Sequence, residues 1–96
     1  MINNSQSEKI IAAKVLEKNS GRRMEIYTNE PGMQFYGGNF LSGTIGKHNK
    51  AYKKRSAFCL ETQYFPNSLN QENFPETLLK PYENYYSICI YRFSTN

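Results

Sequence analysis

The amino-acid types that this sequence lacks already exclude several classes of protein. Its 96 residues include no aspartate and no tryptophan, one histidine (His48) and two cysteines (Cys59 and Cys89). Without aspartate, the chain cannot supply an EF-hand loop or an Asp-containing catalytic triad. One histidine and two distant cysteines cannot assemble a zinc site within one copy. The sequence therefore predicts no metal site.

Long apolar runs are missing as well. No run approaches the roughly 20 residues that a membrane-spanning helix needs. Residues 1–8 are polar and have no apolar stretch, so we expect no secretory signal. Cys59 and Cys89 lie in the apolar runs FCL and ICI, which favours buried, reduced thiols, with a Cys59–Cys89 disulfide as the alternative. These features predict a cytoplasmic protein with no membrane partner.

The net charge of +4 has a local origin. Five of the twelve basic residues lie in an acid-free cluster at residues 47–55, and the other charges nearly cancel. With Tyr52 among the basic residues, this cluster is a candidate nucleic-acid patch. The alternative is a solvated loop, and we favour it because no known nucleic-acid motif accompanies the cluster. Nucleic acid is therefore not the expected partner.

The pattern of apolar residues and turn signals predicts a single all-β domain. NSG at residues 19–21 predicts a hairpin turn, and NEPG at residues 29–32 predicts a second turn. Residues 40–55 and 66–81 are predicted to be long loops. Such loops indicate a functional site or a larger body against which the loops pack. The predicted strands are residues 10–18, 23–28, 33–36, 57–64 and 85–93.

Among the residues of these strands, Glu61 is the clearest candidate for a chemical role. It lies in the apolar run of residues 57–64, and strand alternation places it on one face with Cys59 and Gln63. A carboxylate buried there without a partner would have a raised pKa and could serve as a general base. From the spacing alone, we prefer the interpretation that Glu61 has no catalytic role, because a glutamate in a strand usually lies at an alternate position that faces solvent.

Several blocks of the sequence, in order, resemble the C-terminal part of the aldose 1-epimerases. Residues 30–41 read EPGMQFYGGNFL, similar to the EPG-x-QFY-x-GNFL segment of that family. The resemblance continues through GTIGK at residues 43–47 and RSAFCLETQ at residues 55–63. It then runs through FPNS at 65–68, NQ at 70–71, NFP at 73–75 and YRF at 91–93. Matches in several ordered blocks are more specific than any single motif.

The resemblance implies a fold, a reaction and site residues. The fold is a large antiparallel β-sandwich, and the reaction interconverts the α and β anomers of aldohexoses such as galactose or glucose without a metal or an organic cofactor. The family's general base falls on Glu61, and its substrate-binding glutamine falls on Gln34. Tyr36 shares a strand face with Gln34, so it is a candidate for stacking on the sugar, with core packing as the alternative.

The sequence also departs from the family pattern. The family's acid histidine and its sugar-binding aspartate belong to segments that precede this region, and His48 does not match that histidine by motif. We therefore expect residues 10–96 to be the C-terminal portion of such a domain, residues 1–9 to be a flexible terminus, and the chain to be inactive alone. It would associate with itself or with a complementary N-terminal chain. A non-catalytic carbohydrate-binding or assembly module is the alternative.

Overall fold

The computed structural model describes residues 9–96, so the predicted flexible N-terminus lies outside the described residues except for Lys9. The described part is built from β-strands and two single-turn 3-10 helices, η1 and η2. All its strand pairs are antiparallel, which confirms the prediction of an all-β fold. The elements are β1 (Ile10–Leu16), β2 (Arg22–Thr28), β3 (Gly32–Tyr36), β4 (Thr44–Ile45), η1 (Lys47–Asn49), β5 (Ala51–Tyr52), β6 (Cys59–Gln63), η2 (Ser68–Asn70) and β7 (Cys89–Thr95).

The strands form three small sheets. The largest has the order β1-β2-β7, and the other two are the pairs β3-β6 and β4-β5. The β1-β2 hairpin is the one that the sequence predicts, and its turn contains Gly21 with a φ of +69°. Strand β7 joins the other side of β2 from the far end of the chain, a pairing that local sequence patterns do not predict.

Strand β2 is the centre of the packed part of the molecule. Ile26 is fully buried, and it is the one large apolar side chain buried to that extent within residues 9–96. On the opposite face of β2, Glu25 lies between Lys14 of β1 and Arg92 of β7, with nitrogen–oxygen distances of 3.9 Å to each. Because both cations are largely exposed, these ion pairs contribute little to the stability of the fold.

The predicted loop at residues 40–55 is partly wrong, because it contains the β4-β5 hairpin. The backbone N–H of Gly43 donates to the Tyr52 carbonyl oxygen, and that of Gly46 donates to the Lys50 carbonyl oxygen, both at 2.8 Å. The Tyr52 hydroxyl also accepts from the Lys47 N–H at 3.0 Å. Hydrogen bonds of Gly43, Gly46 and Tyr52 therefore hold part of the basic cluster in a short hairpin.

The predicted strand at residues 85–93 is also wrong at its start, because β7 begins only at Cys89. Residues 86 and 88 bond to side chains that follow the end of β2. Asn29 Nδ2 donates to the Tyr86 carbonyl oxygen at 3.2 Å, and Asn29 Oδ1 accepts from the Ile88 N–H at 2.8 Å. Since side chains satisfy these backbone groups, the segment remains extended without joining the ladder.

Both cysteines are exposed and free, so the prediction of buried thiols is wrong, while the prediction that they are not disulfide-bonded is confirmed. Their strands are apolar, but no second layer covers them within residues 9–96. Phe93 is 72% exposed and Phe35 is 64% exposed for the same reason. The Cα radius of gyration is 16.8 Å, against about 13 Å for a compact domain of this length. No helix in residues 9–96 has the length and hydropathy of a membrane span.

The β1-β2 turn generates a prediction about pH. Glu17 accepts hydrogen bonds from the Ser20 hydroxyl and from the N–H groups of Asn19 and Ser20. These bonds, that of the Ser20 hydroxyl foremost, lower the pKa of the Glu17 carboxyl from its ordinary value. A lowered pKa in the folded state means that this turn stabilises the fold above the unfolded pKa and loses that contribution as pH falls through the folded pKa.

In a ¹³C NMR titration, Ser20→Ala should therefore move the Glu17 pKa upward, towards its ordinary value. Ser42→Ala, at an exposed serine outside the turn, should leave the Glu17 pKa unchanged. An identical Glu17 titration in the Ser20→Ala variant and the parent chain would contradict the assigned cause.

Candidate active site on the β3-β6 sheet

The register of β3 and β6 brings the main predicted site residues together. Gln34 pairs directly with Glu61, and Tyr36 pairs with Cys59. Residues that pair directly across antiparallel strands share a sheet face, with Cβ atoms about 5 Å apart. Gln34, Tyr36 and Glu61 therefore lie on one face, with an amide and a carboxylate side by side.

Glu61 itself is exposed, as is usual for a glutamate in a strand, so it is not a buried carboxylate without a partner. Its side chain makes no hydrogen bond or ion pair with the described residues. The physical reason is the one that exposes the cysteines, since this sheet face has no covering layer within residues 9–96. Both carboxylate oxygens of Glu61 are therefore open to a ligand that approaches this face.

Tyr91 is a neighbour of Glu61 that the sequence did not identify. Its hydroxyl donates to the Leu60 carbonyl oxygen at 2.6 Å and so links β7 to β6. Partial burial raises the pKa of the Tyr91 hydroxyl, and the Cys89 thiol and the nearby Cys59 and Glu61 side chains raise it further. Tyr91 thus stays a neutral donor that connects the β1-β2-β7 sheet to the strand carrying Glu61.

A cleft of about 650 Å³ opens beside Gln34, at the end of β3. Gln34, Phe35 and Tyr36 of β3 line it, together with residues of the loops that follow β3 and precede β6 (Gly37, Asn39, Arg55, Ser56, Ala57 and Phe58). Glu61 lies outside this lining. The exposed Gln34 side chain bonds by Nε2 to the Phe35 carbonyl oxygen at 3.2 Å. The cleft is large enough for a monosaccharide.

Tyr36 has a structural task in this arrangement. Its hydroxyl accepts from the Phe40 N–H at 3.0 Å, and its ring stacks on that of Phe40 with centroids 6.2 Å apart. Tyr36 therefore holds the loop that follows β3 against the cleft. A sugar-stacking role for Tyr36 stays a prediction.

Arg55 and Asn39 are cleft residues that the sequence reasoning missed. In the sequence Arg55 belongs to the basic cluster of residues 47–55, whose favoured interpretation is a solvated loop. In the structure its φ is +64° and its N–H donates to the Gly38 carbonyl oxygen at 3.0 Å. The positive φ is a signal of constrained backbone that sequence alone does not carry. Arg55 adds a guanidinium to a cleft that also holds the Gln34 amide.

The one histidine is not part of this arrangement. His48 is exposed and lies in η1, between β4 and β5, with a φ of 57°. Residues 9–96 also contain no group of three His, Cys or Glu side chains placed to hold a metal ion. The groups on the β3-β6 face that could act chemically are the Gln34 amide and the Glu61 carboxylate.

Comparison with known proteins agrees with this geometry. Residues 3–92 match the sequence profile described as aldose 1-epimerase. This chain belongs to the aldose 1-epimerase family. It is 52% identical over 88 residues to the galactose mutarotase of Sus scrofa and 51% identical over 88 residues to that of Bos taurus. It is 34% identical over 87 residues to the aldose 1-epimerase of Escherichia coli.

The matches cover most of this chain and a minor part of its relatives. They span 91% of this chain and 26% of each mammalian mutarotase, and 88% of this chain and 25% of the bacterial enzyme. The chain thus spans about a quarter of the length of these relatives. The family membership predicted from the ordered sequence blocks is confirmed.

The backbone around the cleft generates a prediction about stability. Gly38 has a φ of +68°, and a Cβ there would lie 2.7 Å from the Ala57 carbonyl oxygen. Gly38→Ala should therefore lower the free energy of unfolding by about 2 kcal/mol, measured by urea denaturation with tyrosine fluorescence. Gly43→Ala is the matched control, since Gly43 has a φ of +98° with nothing within 4 Å. Equal losses in the two variants would show that the contact with Ala57 is not made.

Proposed function

We propose that this chain is the C-terminal portion of an aldose 1-epimerase and acts in the interconversion of the α and β anomers of an aldohexose. The observation that carries this proposal is the direct pairing of Gln34 with Glu61 on one sheet face, in a chain of this family. Galactose or glucose is the expected substrate class, and residues 10–96 are the portion that contributes the base.

Glu61 is proposed as the general base. Its exposed carboxylate takes the proton of the C1 hydroxyl, and the C1–O5 bond of the ring breaks as the ring oxygen gains a proton from a general acid. The open-chain aldehyde rotates about C1–C2, and the reverse steps close the ring on the other face. The general acid is proposed to come from the part of the family fold that this chain does not match, because the family's acid histidine belongs to a segment that precedes this region.

Gln34 is proposed to position the sugar. A primary amide donates and accepts hydrogen bonds in one plane, which suits the vicinal hydroxyls of a pyranose. Its place directly opposite Glu61 lets one ring contact both side chains. Tyr36 lies on the same face, and its ring is proposed to stack on the C–H groups of the sugar and so restrict the sugar's position.

The chain is proposed to need a covering partner, either a complementary N-terminal portion or a second copy. It spans about a quarter of its relatives, and aromatic side chains on its sheets, such as Phe35 and Phe93, are largely exposed. Outer edges of β1, β3 and β7 are unpaired within residues 9–96, and such edges favour association with another chain. We place the assembled protein in the cytoplasm.

The catalytic proposal is tested with a chimera in which this chain replaces the matched part of the Sus scrofa mutarotase. The chimera should accelerate anomer exchange of galactose, measured by NMR exchange spectroscopy, and this chain alone should not. Glu61→Gln should reduce kcat by about 10²–10⁴-fold, the range for loss of a general base.

Glu72→Gln is the matched control, because Glu72 is exposed and lies outside the β3-β6 sheet. It should change kcat less than about twofold. A folded chimera with full activity in the Glu61→Gln variant would refute the role of Glu61. Galactose binding to the chimera without turnover would favour the non-catalytic alternative.

The proposed need for a partner predicts the behaviour of the isolated chain. In sedimentation velocity experiments it should self-associate, most simply as a two-fold dimer, because this covers sheet edges and exposed aromatic residues. Addition of the unmatched part of a mutarotase should replace the dimer with a mixed complex. A stable monomer with a cooperative thermal transition would contradict the proposal.

A further inference from the structure

A second cavity lies away from Gln34 and Glu61, at the end of β2. It has a volume of about 480 Å³, and its walls come from the turn after β2, from Tyr64, and from the irregular segment that precedes β7. The lining residues are Asn29, Glu30, Tyr64, Glu76, Thr77, Leu78, Leu79, Glu83, Asn84, Tyr85 and Tyr86. None of them is among the residues that line the cleft beside Gln34.

The floor of this cavity contains a buried carboxylate with an unsatisfied oxygen. Glu30 is only 3% exposed. Its Oε1 accepts a hydrogen bond from the Tyr85 hydroxyl at 2.7 Å, whereas its Oε2 is buried and has no hydrogen-bond partner. A buried polar atom left in this state destabilises the fold, and such an atom usually marks the place of a missing ligand or partner.

The hydroxyl of Tyr85 is held as a donor towards Glu30. A bond from Ser87 acts in the opposite direction, but the bond to the Glu30 carboxylate, together with burial, raises the pKa of the Tyr85 hydroxyl. Tyr85 therefore remains protonated and occupies one of the two Glu30 oxygens. The other oxygen is left for a donor that comes from the cavity.

The charges around the cavity indicate that this donor is a cation. Glu76 and Glu83 join Glu30 in the lining, and no lysine or arginine side chain does. One Glu83 oxygen is already bound, because Oε2 accepts from the Lys80 backbone N–H at 3.0 Å. Leu78, Leu79 and the tyrosine rings supply apolar walls, and aromatic faces attract cations. The cavity thus combines negative charge with space for an organic body.

We propose that this cavity binds a primary ammonium group carried on a short aliphatic chain, with the ammonium bonded to Glu30 Oε2. An ammonium is a compact charge that can bond to a single carboxylate oxygen and direct its other N–H groups elsewhere, whereas a guanidinium prefers both oxygens of a carboxylate. Because Tyr85 already donates to Oε1, a contact through Oε2 alone favours the ammonium over the bidentate guanidinium. Since Oε2 is buried, binding requires a small rotation of the Glu30 carboxyl group towards the cavity.

Two sources can supply this chemistry, a free alkylamine or the lysine side chain of a partner protein. Both are tested on the isotope-labelled full chain by ¹H–¹⁵N NMR titration at constant ionic strength. The probes are n-butylammonium for the free amine and Nα-acetyl-lysine methylamide for the protein side chain, with n-butanol and n-propylguanidinium as comparisons. Binding of one ammonium probe alone identifies its source, and binding of both shows that the cavity accepts either.

Saturable shifts are expected at the amides of residues 29–30 and 84–86 with an ammonium probe, with a Kd in roughly the millimolar range. Butanol and propylguanidinium should bind at least about tenfold more weakly. Glu30→Gln should weaken ammonium binding about tenfold or more, and Glu72→Gln, which removes an exposed carboxylate outside this cavity, should change it less than about twofold.

Tyr85→Phe provides a second test that does not remove the carboxylate. It frees Oε1, so propylguanidinium should bind this variant more tightly than it binds the parent chain. The proposal is overturned if butanol binds as tightly as butylammonium, if Glu30→Gln binds ammonium like the parent chain, or if neither ammonium probe shifts the cavity amides. None of these results depends on whether Glu61 is a catalytic base.

Discussion

The side chains of the buried run Thr28, Asn29 and Glu30 hold the distant parts of this chain in place. Thr28 Oγ1 donates to the Ile88 carbonyl oxygen at 2.8 Å and accepts from the Glu30 N–H at 3.0 Å. Asn29 bonds to backbone groups of residues 86 and 88, and Glu30 bonds to Tyr85. These contacts join residues almost sixty positions apart. They align β7 beside β2, and through Tyr91 they reach the strand that carries Glu61.

Because these bonds are polar and at least partly buried, they specify one arrangement rather than adding much stability. Each buried donor or acceptor here has a defined partner, and a shift of the segment by one residue would leave several unsatisfied. The exception is Glu30 Oε2, which is buried and has no hydrogen-bond partner. The same run therefore determines the position of β7 and leaves the one orphaned side-chain oxygen found in the described part of the chain.

Much of this fold could be predicted from local patterns. Alternation predicts β2, and the NSG turn predicts its hairpin with β1. The shared face of Gln34 and Tyr36 follows from period two, but the pairing of Gln34 with Glu61 depends on a register between distant segments. Strand β7 begins late because Asn29 and Thr28 side chains replace ladder partners, which no local pattern reveals. The two thiols are exposed because no second layer covers their strands within residues 9–96. The composition of a strand does not indicate whether such a layer is present.

The candidate site can be recognised because Gln34 and Glu61 are both present. It is partial because no second layer covers this sheet face within residues 9–96. The family resemblance identified Glu61 and Gln34, and the β3-β6 register places them side by side. The positions of Arg55 and Tyr91 near the candidate site could be recognised only in the structure. In the sequence, Arg55 is one charge of a basic cluster, and Tyr91 is one aromatic residue of a predicted strand. The described residues thus place a carboxylate beside an amide, and the acid is proposed to come from the remainder of the family fold.

The most direct test of this account is a crystal structure of the chimera with galactose bound. We predict that the Glu61 carboxylate lies within hydrogen-bond distance of the C1 hydroxyl, and that the Gln34 amide contacts another hydroxyl of the same ring. A sugar bound in the chimera with neither side chain within reach would contradict the central claim that the β3-β6 face carries the reaction.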